Sequence, residues 1–221
     1  MSAGLLVGIA GLAMIDSLNP ATIVGVALIL LLPSDRVVGI AIAFVCGAYG
    51  TVLVVGMTVY FAAEAAAGAV PGGLAWVRRI AFGVVSVILL VSAVRRLRHR
   101  ERRPIAVPSW LTLRTAAPLG LLATGADLPN AFPYFIAIER LVSAAVPTDT
   151  GILVLSGYSL IYCLPCMLLL AAAAAWGDRV RRRLHTIYER FGKQQTVGRS
   201  VPAAMGLAAL GIAAAGLALT S

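Results

Sequence analysis

The sequence predicts an all-α integral membrane protein with six transmembrane helices built as two inverted three-helix repeats. Three observations lead there. Long apolar runs recur along the chain, the basic residues fall almost entirely on one side of those runs, and one short polar motif occurs twice. Hydrophobic residues make up 60% of the 221 positions and charged residues only 12%, with a mean hydropathy of +0.94. A soluble domain carries about a quarter charged residues. At 1.5 Å per residue, about 20 apolar residues cross a hydrocarbon core of about 30 Å. A bilayer admits only helices or closed barrels. The runs lack two-residue alternation and are rich in Ala, Leu, Gly and Val, so helices are expected.

Six spans follow, near residues 4–32, 37–62, 80–94, 116–137, 151–176 and 202–219. The first run has no basic segment before it and is too long for a removable leader, so it reads as a span. The first repeat covers residues 1–94, a basic linker 95–115, and the second repeat 116–221. The linker is Arg-rich from Arg95 to Arg103 and then interrupted by Pro104 and Pro108.

Loop charge sets the expected orientation. Arg36, the Arg95–Arg114 cluster and the Arg179–Arg199 cluster fall in alternate loops and hold most of the 18 Lys and Arg residues; the opposite side has only Arg78, Arg79 and Arg140. The positive-inside rule puts the basic loops in the cytoplasm and both termini outside, in the cytoplasmic membrane. The net charge of +9 is thereby assigned to topology and to contact with membrane lipids rather than to nucleic acid. Trp76, Trp110 and Trp176 fall near span ends, as interface anchors do. His99 and His185 lie in the basic loops and do not resemble metal ligands.

The repeated motif carries the functional expectation. The first span contains Asp16-Ser17-Leu18-Asn19-Pro20; the fourth contains Asp127-Leu128-Pro129-Asn130, followed by Phe132-Pro133-Tyr134. Each has Asp, two residues, then Asn, in the first helix of a three-helix set. Three helices are an odd number, so the second set enters from the opposite face. Aspartate at membrane depth costs at least about 2.5–3.5 kcal/mol and normally faces a bundle interior or a wet cavity. Residues three apart share a helix face, and each proline removes a donor and frees a carbonyl. Interrupted helices at matching places in two halves mark a transporter site near the midplane.

The candidate substrate- or ion-binding residues are therefore Asp16, Ser17, Asn19, Pro20, Thr124, Asp127, Pro129, Asn130 and Tyr134. The carboxylates either take up and release a proton or hold a hard cation with amide and carbonyl oxygens. Thr22 and Ser17 are nearby hydroxyls, although such groups more often bond their own helix. Tyr49, Tyr158 and Tyr162 in the middle helices are placed to line a path. Gly47, Gly50, Gly206, Gly211 and Gly216 read as close-packing positions.

Three cysteines, Cys46, Cys163 and Cys166, all lie in apolar runs, which argues against an extracellular disulfide framework. Cys163-Leu164-Pro165-Cys166 has the spacing of a redox pair in an unusual place, so a transmembrane thiol-disulfide carrier is an alternative function. A divalent-cation exporter is another. No triad, phosphate loop or dinucleotide fingerprint is present, so neither an enzyme nor a cofactor is expected.

On these features the chain resembles the LysE-type superfamily of small exporters. It is most similar to the GAP/Sap addressing-protein group of actinobacteria. The cues are the Ala- and Arg-rich composition, Asp16-Ser17-Leu18-Asn19-Pro20 and the Arg-rich central loop. The resemblance implies export of a small solute or lipid-type substrate. Six helices make a small bundle, for which a homodimer is the expected assembly. In cation-handling relatives paired acidic motifs form the metal site, at positions matching Asp16 and Asp127; this chain lacks a second acid beside either. The resemblance thus leaves proton coupling or recognition of a polar headgroup. Electron carriers of cytochrome c biogenesis share the two-repeat plan. They place a Pro-Cys motif in the first helix of each repeat, where this chain has no cysteine.

Overall fold

The computed structural model describes residues 2–34, 36–69, 111–128 and 131–191, with separate helical residues within 79–94 and 205–216 and two short strands. Its helices are α1 (Ala3–Ser17), α2 (Pro20–Leu30), α3 (Val37–Ala69), α4 (Leu113–Asp127), α5 (Phe132–Ser143) and α6 (Thr148–Phe191). Strand β1 (Arg100–Glu101) pairs antiparallel with β2 (Thr196–Val197).

The first predicted span is two helices, α1 and α2, bent by 50° at a short break. Nothing in the apolar run of α1 stops it before Asn19-Pro20. Pro20 cannot donate to the helix, and it pushes the preceding residue out of helical geometry. Asn19 accordingly has φ −59° and ψ 113°, and its side chain caps the new helix by accepting from Ala21 N. Proline is well placed at a helix start, where its missing donor costs nothing.

The fourth predicted span divides in the same way into α4 and α5, with Pro133 in the first turn of α5. Residues 129 and 130 lie outside the described residues. α4 begins inside the predicted linker, because the Thr115 hydroxyl reaches back to Thr112 N at 2.8 Å and closes its first turn.

Two helices are long and apolar enough to cross a membrane, α3 and the apolar part of α6; the bent pair α1–α2 makes a third. The sixfold count is thus not reached among the described residues. Those in the third and sixth predicted spans are helical, and Ser86 Oγ of one donates to Gly211 O of the other at 2.8 Å. The fifth span was expected to end at 176, and the helix does break at Trp176, which has φ −129° and ψ 36°. It then resumes where a loop was expected. Val180, Leu184 and Tyr188, spaced by four, are half-buried, while Arg179, Arg182 and Arg183 are exposed. Arg181 Nη2 donates to Leu32 O at the end of α2.

Helices α3 and α6 pack on each other and form the middle of the bundle. α4 and α5 lie on α3, while α1 and α2 lie on α6. In addition α1 meets α5, α2 meets α4, and α2 packs on α3. Apart from that last contact, exchanging the first three helices for the last three reproduces the same set of pairings.

Small residues set the closest approach. A side chain on Gly47 would collide with the backbone of Ala117, and one on Gly120 with the backbone of Phe44. Among the described residues nothing lies within 4 Å of a side chain built on Gly50 or Gly206, so the close-packing role expected for them belongs to Gly47 and Gly120. Lipid tails are as apolar as leucine, so tight backbone contact is a principal source of helix association here. Gly47→Ala and Gly120→Ala are each expected to lower stability by about 1–3 kcal/mol, with Gly50→Ala close to wild type. Thermal unfolding of the purified protein in detergent reads this directly, and an unstable Gly50→Ala alone would contradict it.

Candidate functional site

The two helix breaks face each other inside the bundle. Asn19, at the first break, is held at three points. Its Oδ1 accepts from Ala21 N at 2.8 Å. Its Nδ2 donates to Asp127 Oδ2 at the end of α4 and to the Tyr162 hydroxyl of α6 at 3.0 Å. One amide thus caps α2 and ties it to the carboxylate at the second break. Asp127 consequently sits at the N-terminus of α2, where the helix dipole favours negative charge.

Asp16 lies one residue before the end of α1, and its Oδ2 accepts from the Tyr158 hydroxyl at 3.1 Å. Tyr158 and Tyr162 are one turn apart on α6, so a single helix face presents two hydroxyls to the first break, one to Asp16 and one to Asn19. Hydrogen bonds to charged groups contribute about 1.5–3 kcal/mol each, the same order as the cost of placing a carboxylate at membrane depth.

Tyr134 of α5 closes the site from the side. Its ring lies against Tyr158 with centroids 4.5 Å apart, and its hydroxyl donates to Val52 O at 2.9 Å. Gly56 leaves the room for that hydroxyl, since any side chain there would overlap it.

Between these groups is a cleft of about 220 Å3, open solvent at its mouth included, lined by Asp16, Asn19, Val52, Thr124, Asp127, Leu128, Ala131, Tyr134 and Tyr162. It has room for about one water molecule. Thr124 Oγ1 is the buried side-chain oxygen that has no hydrogen-bond partner among the described residues, in a residue only 2% exposed.

The structure thus brings together Asp16, Asn19, Thr124, Asp127 and Tyr134 from the predicted set. Ser17 is buried nearby, but its hydroxyl is used locally on Met14 O. The Thr22 hydroxyl likewise bonds Asn19 O. Pro20 starts α2 and does not line the cleft. Pro129 and Asn130 lie outside the described residues. Tyr162 lines the cleft, whereas Tyr49 packs against the core within electrostatic reach of Tyr134. Val52 and Gly56 were not legible as site residues: an apolar residue and a glycine in a long apolar helix carry no signal of a used carbonyl or a vacated volume.

Cys163 and Cys166 are buried free thiols and Cys46 is an exposed one. Cys163 lies within electrostatic reach of both others. No group of three or more His, Cys, Asp or Glu residues among the described residues is arranged to hold a metal ion.

Broken apolar helices that enclose paired polar groups define a small helical membrane protein with an internal polar site. Its sequence matches the family described as Sap, sulfolipid-1-addressing protein, over residues 9–218, and the chain belongs to that family. No curated protein and no solved structure matches it. The family description points to lipid-related work at a membrane, and the match does not extend to the wider LysE-type superfamily.

Because Asn19 serves as cap and tie at once, Asn19→Ala is expected to destabilise the protein by about 2–4 kcal/mol, the cap and one charged hydrogen bond together. Asn19→Ser, which restores the cap alone, recovers only part of that loss. Thermal unfolding in detergent separates the two; full recovery in the serine variant would mean that the bond to Asp127 contributes nothing.

Proposed function

We propose that this protein is a secondary-type transporter that exports a lipid-type substrate across the cytoplasmic membrane. Six spans form two inverted repeats, with the basic loops in the cytoplasm and both termini outside. One observation carries the reading: the Asn19–Asp127 hydrogen bond joins the helix breaks of the two halves. Rocking one half against the other then moves the shared polar site between the two sides of the membrane. The nearly exchangeable helix pairings support the repeat, the loop charges support the orientation, and the family description supports a lipid over a small solute. The LysE-type relationship belongs to this reading as a shared architecture.

The three neighbouring free thiols, two buried and one exposed, favour a second reading, a membrane thiol relay through Cys163, Cys166 and Cys46. Both readings meet one experiment. A deletion strain is complemented with wild type, Asp16→Asn, Asp127→Asn, or Cys163→Ser with Cys166→Ser, and surface-extracted lipids are profiled. The transport account expects at least about a tenfold loss of one surface lipid, the size of effect that removal of a needed polar group gives, in the deletion and in both Asp variants. It expects wild-type levels in the cysteine variant, with all proteins present in membranes. Function lost in the cysteine variant and kept in both Asp variants makes the relay the better account.

A further inference from the structure

Beyond the break at Trp176, α6 continues to Phe191 in a segment that the central cleft does not use. From Thr148 to Trp176 the helix is about 43 Å long at 1.5 Å per residue. A bilayer with its headgroups included measures about 40–45 Å. A helix that crosses along this length delivers Trp176 to the headgroup level. Trp176 is 59% exposed there, as an interface anchor is, and the chain changes direction at the same residue.

The segment is held by one side and displays another. Val180, Leu184 and Tyr188 recur every fourth residue and are half-buried, with Leu184 packed against the core. Arg181 Nη2 donates to Leu32 O at 3.2 Å, which ties the segment to the end of α2. Arg179, Arg182 and Arg183 are exposed; at i, i+3 and i+4 they share one helix face. Among the described residues none of these three is in an ion pair, and the nearby Glu189 lies 4.0 Å from His185 instead. Ile187, one turn after Arg183, is 54% exposed.

A charged stripe on a helix is by itself satisfied by water. Three features here favour lipid. Trp176 sets the stripe at headgroup depth. The exposed Ile187 beside the arginines suits an interface with an apolar side. Guanidinium forks match the paired oxygens of phosphate-type groups, and anionic leaflets attract basic segments that directly follow a membrane helix. We propose that residues 177–191 form a docking face for anionic lipid headgroups, with Arg179, Arg182 and Arg183 as its ligands and Trp176 as its anchor in the membrane. Arg181 and Leu184 are positioning residues that fix the helix on the bundle. The docking face stands apart from the transport reading, since it requires only that the chain lie in a membrane.

Fluorescence quenching tests it on the full chain. Trp76→Phe and Trp110→Phe leave Trp176 as the sole tryptophan. The protein is reconstituted in vesicles of equal phosphatidylcholine and phosphatidylglycerol, one or the other brominated near the headgroup. The expected result is that brominated phosphatidylglycerol quenches Trp176 at least about twofold more strongly than brominated phosphatidylcholine. Arg179→Gln, Arg182→Gln and Arg183→Gln together remove the preference; glutamine keeps the helix, being nearly as good a helix former as arginine. Removing the same charge from the linker, by Arg98→Gln, Arg102→Gln and Arg103→Gln, leaves the preference intact. Equal quenching by both lipids overturns the proposal, as does a preference that survives the first triple variant or is lost equally in the second. Abolition of the preference by inorganic phosphate assigns the arginines to a free anion and also overturns it. Capture of added RNA through the same arginines, with equal quenching by both lipids, assigns the face to nucleic acid instead.

Discussion

A carboxylate carried into a membrane must find donors there, and this requirement organises the bundle. Asp127 is met by Asn19 and Asp16 by Tyr158. Neither donor lies on the same helix as its acceptor. The desolvation cost of each acid is therefore offset only when separate parts of the chain are correctly assembled, and leaving either acid unpaired costs several kcal/mol. Burial of apolar surface cannot specify an arrangement in a solvent that is itself apolar. Directional polar contacts can, which is why Asp16, Thr124, Asp127, Tyr158 and Tyr162 of α1, α4 and α6 come together.

The prolines make this geometry available. An unbroken helix uses its own backbone groups and presents only side chains. Breaking the first span at Asn19-Pro20 frees Asn19 to cap α2 with its oxygen and to reach Asp127 with its nitrogen. The same amide thus fixes a local bend and a contact between distant segments, so the bend and the assembly are coupled. Around this point the long helices α3 and α6 act as rails. Gly47 and Gly120 let α4 approach α3 at backbone contact, and Gly56 admits the Tyr134 hydroxyl to Val52 O. Further from the centre, Tyr60 donates to Val146 O and anchors the α5–α6 turn to α3, where Ala145 adopts a positive φ of 46°.

Much of this was legible in the sequence, and the rest was hidden for identifiable reasons. The helical class follows from composition, and the break at Asn19-Pro20 follows from proline chemistry. Asp16, Asn19 and Asp127 stood out because polar residues in apolar runs require a partner. Which group partners which was not legible. Tyr158 and Tyr162 showed only a one-turn spacing, and the sequence does not say which helix faces which. Thr124 resembled any helical hydroxyl, and its lack of a partner is a property of the assembled bundle. The helix beyond Trp176 was missed because its arginines dominated the reading. Its apolar positions, Val180, Leu184 and Tyr188, recur at helical spacing and could have found it.

The account stands on the meeting of the two breaks, so the decisive measurement is a cross-link between them. In a chain whose three native cysteines are replaced by serine, Asn19→Cys and Asp127→Cys are introduced together and oxidised in membranes. Disulfides form only between residues whose Cα atoms lie within about 7 Å. The account predicts a rapid intramolecular cross-link that forms in no single-cysteine control and disappears on reduction. A pair that stays reduced under oxidation, while each thiol alone reacts with a small alkylating reagent, would contradict the meeting of the breaks and the transport mechanism built on it.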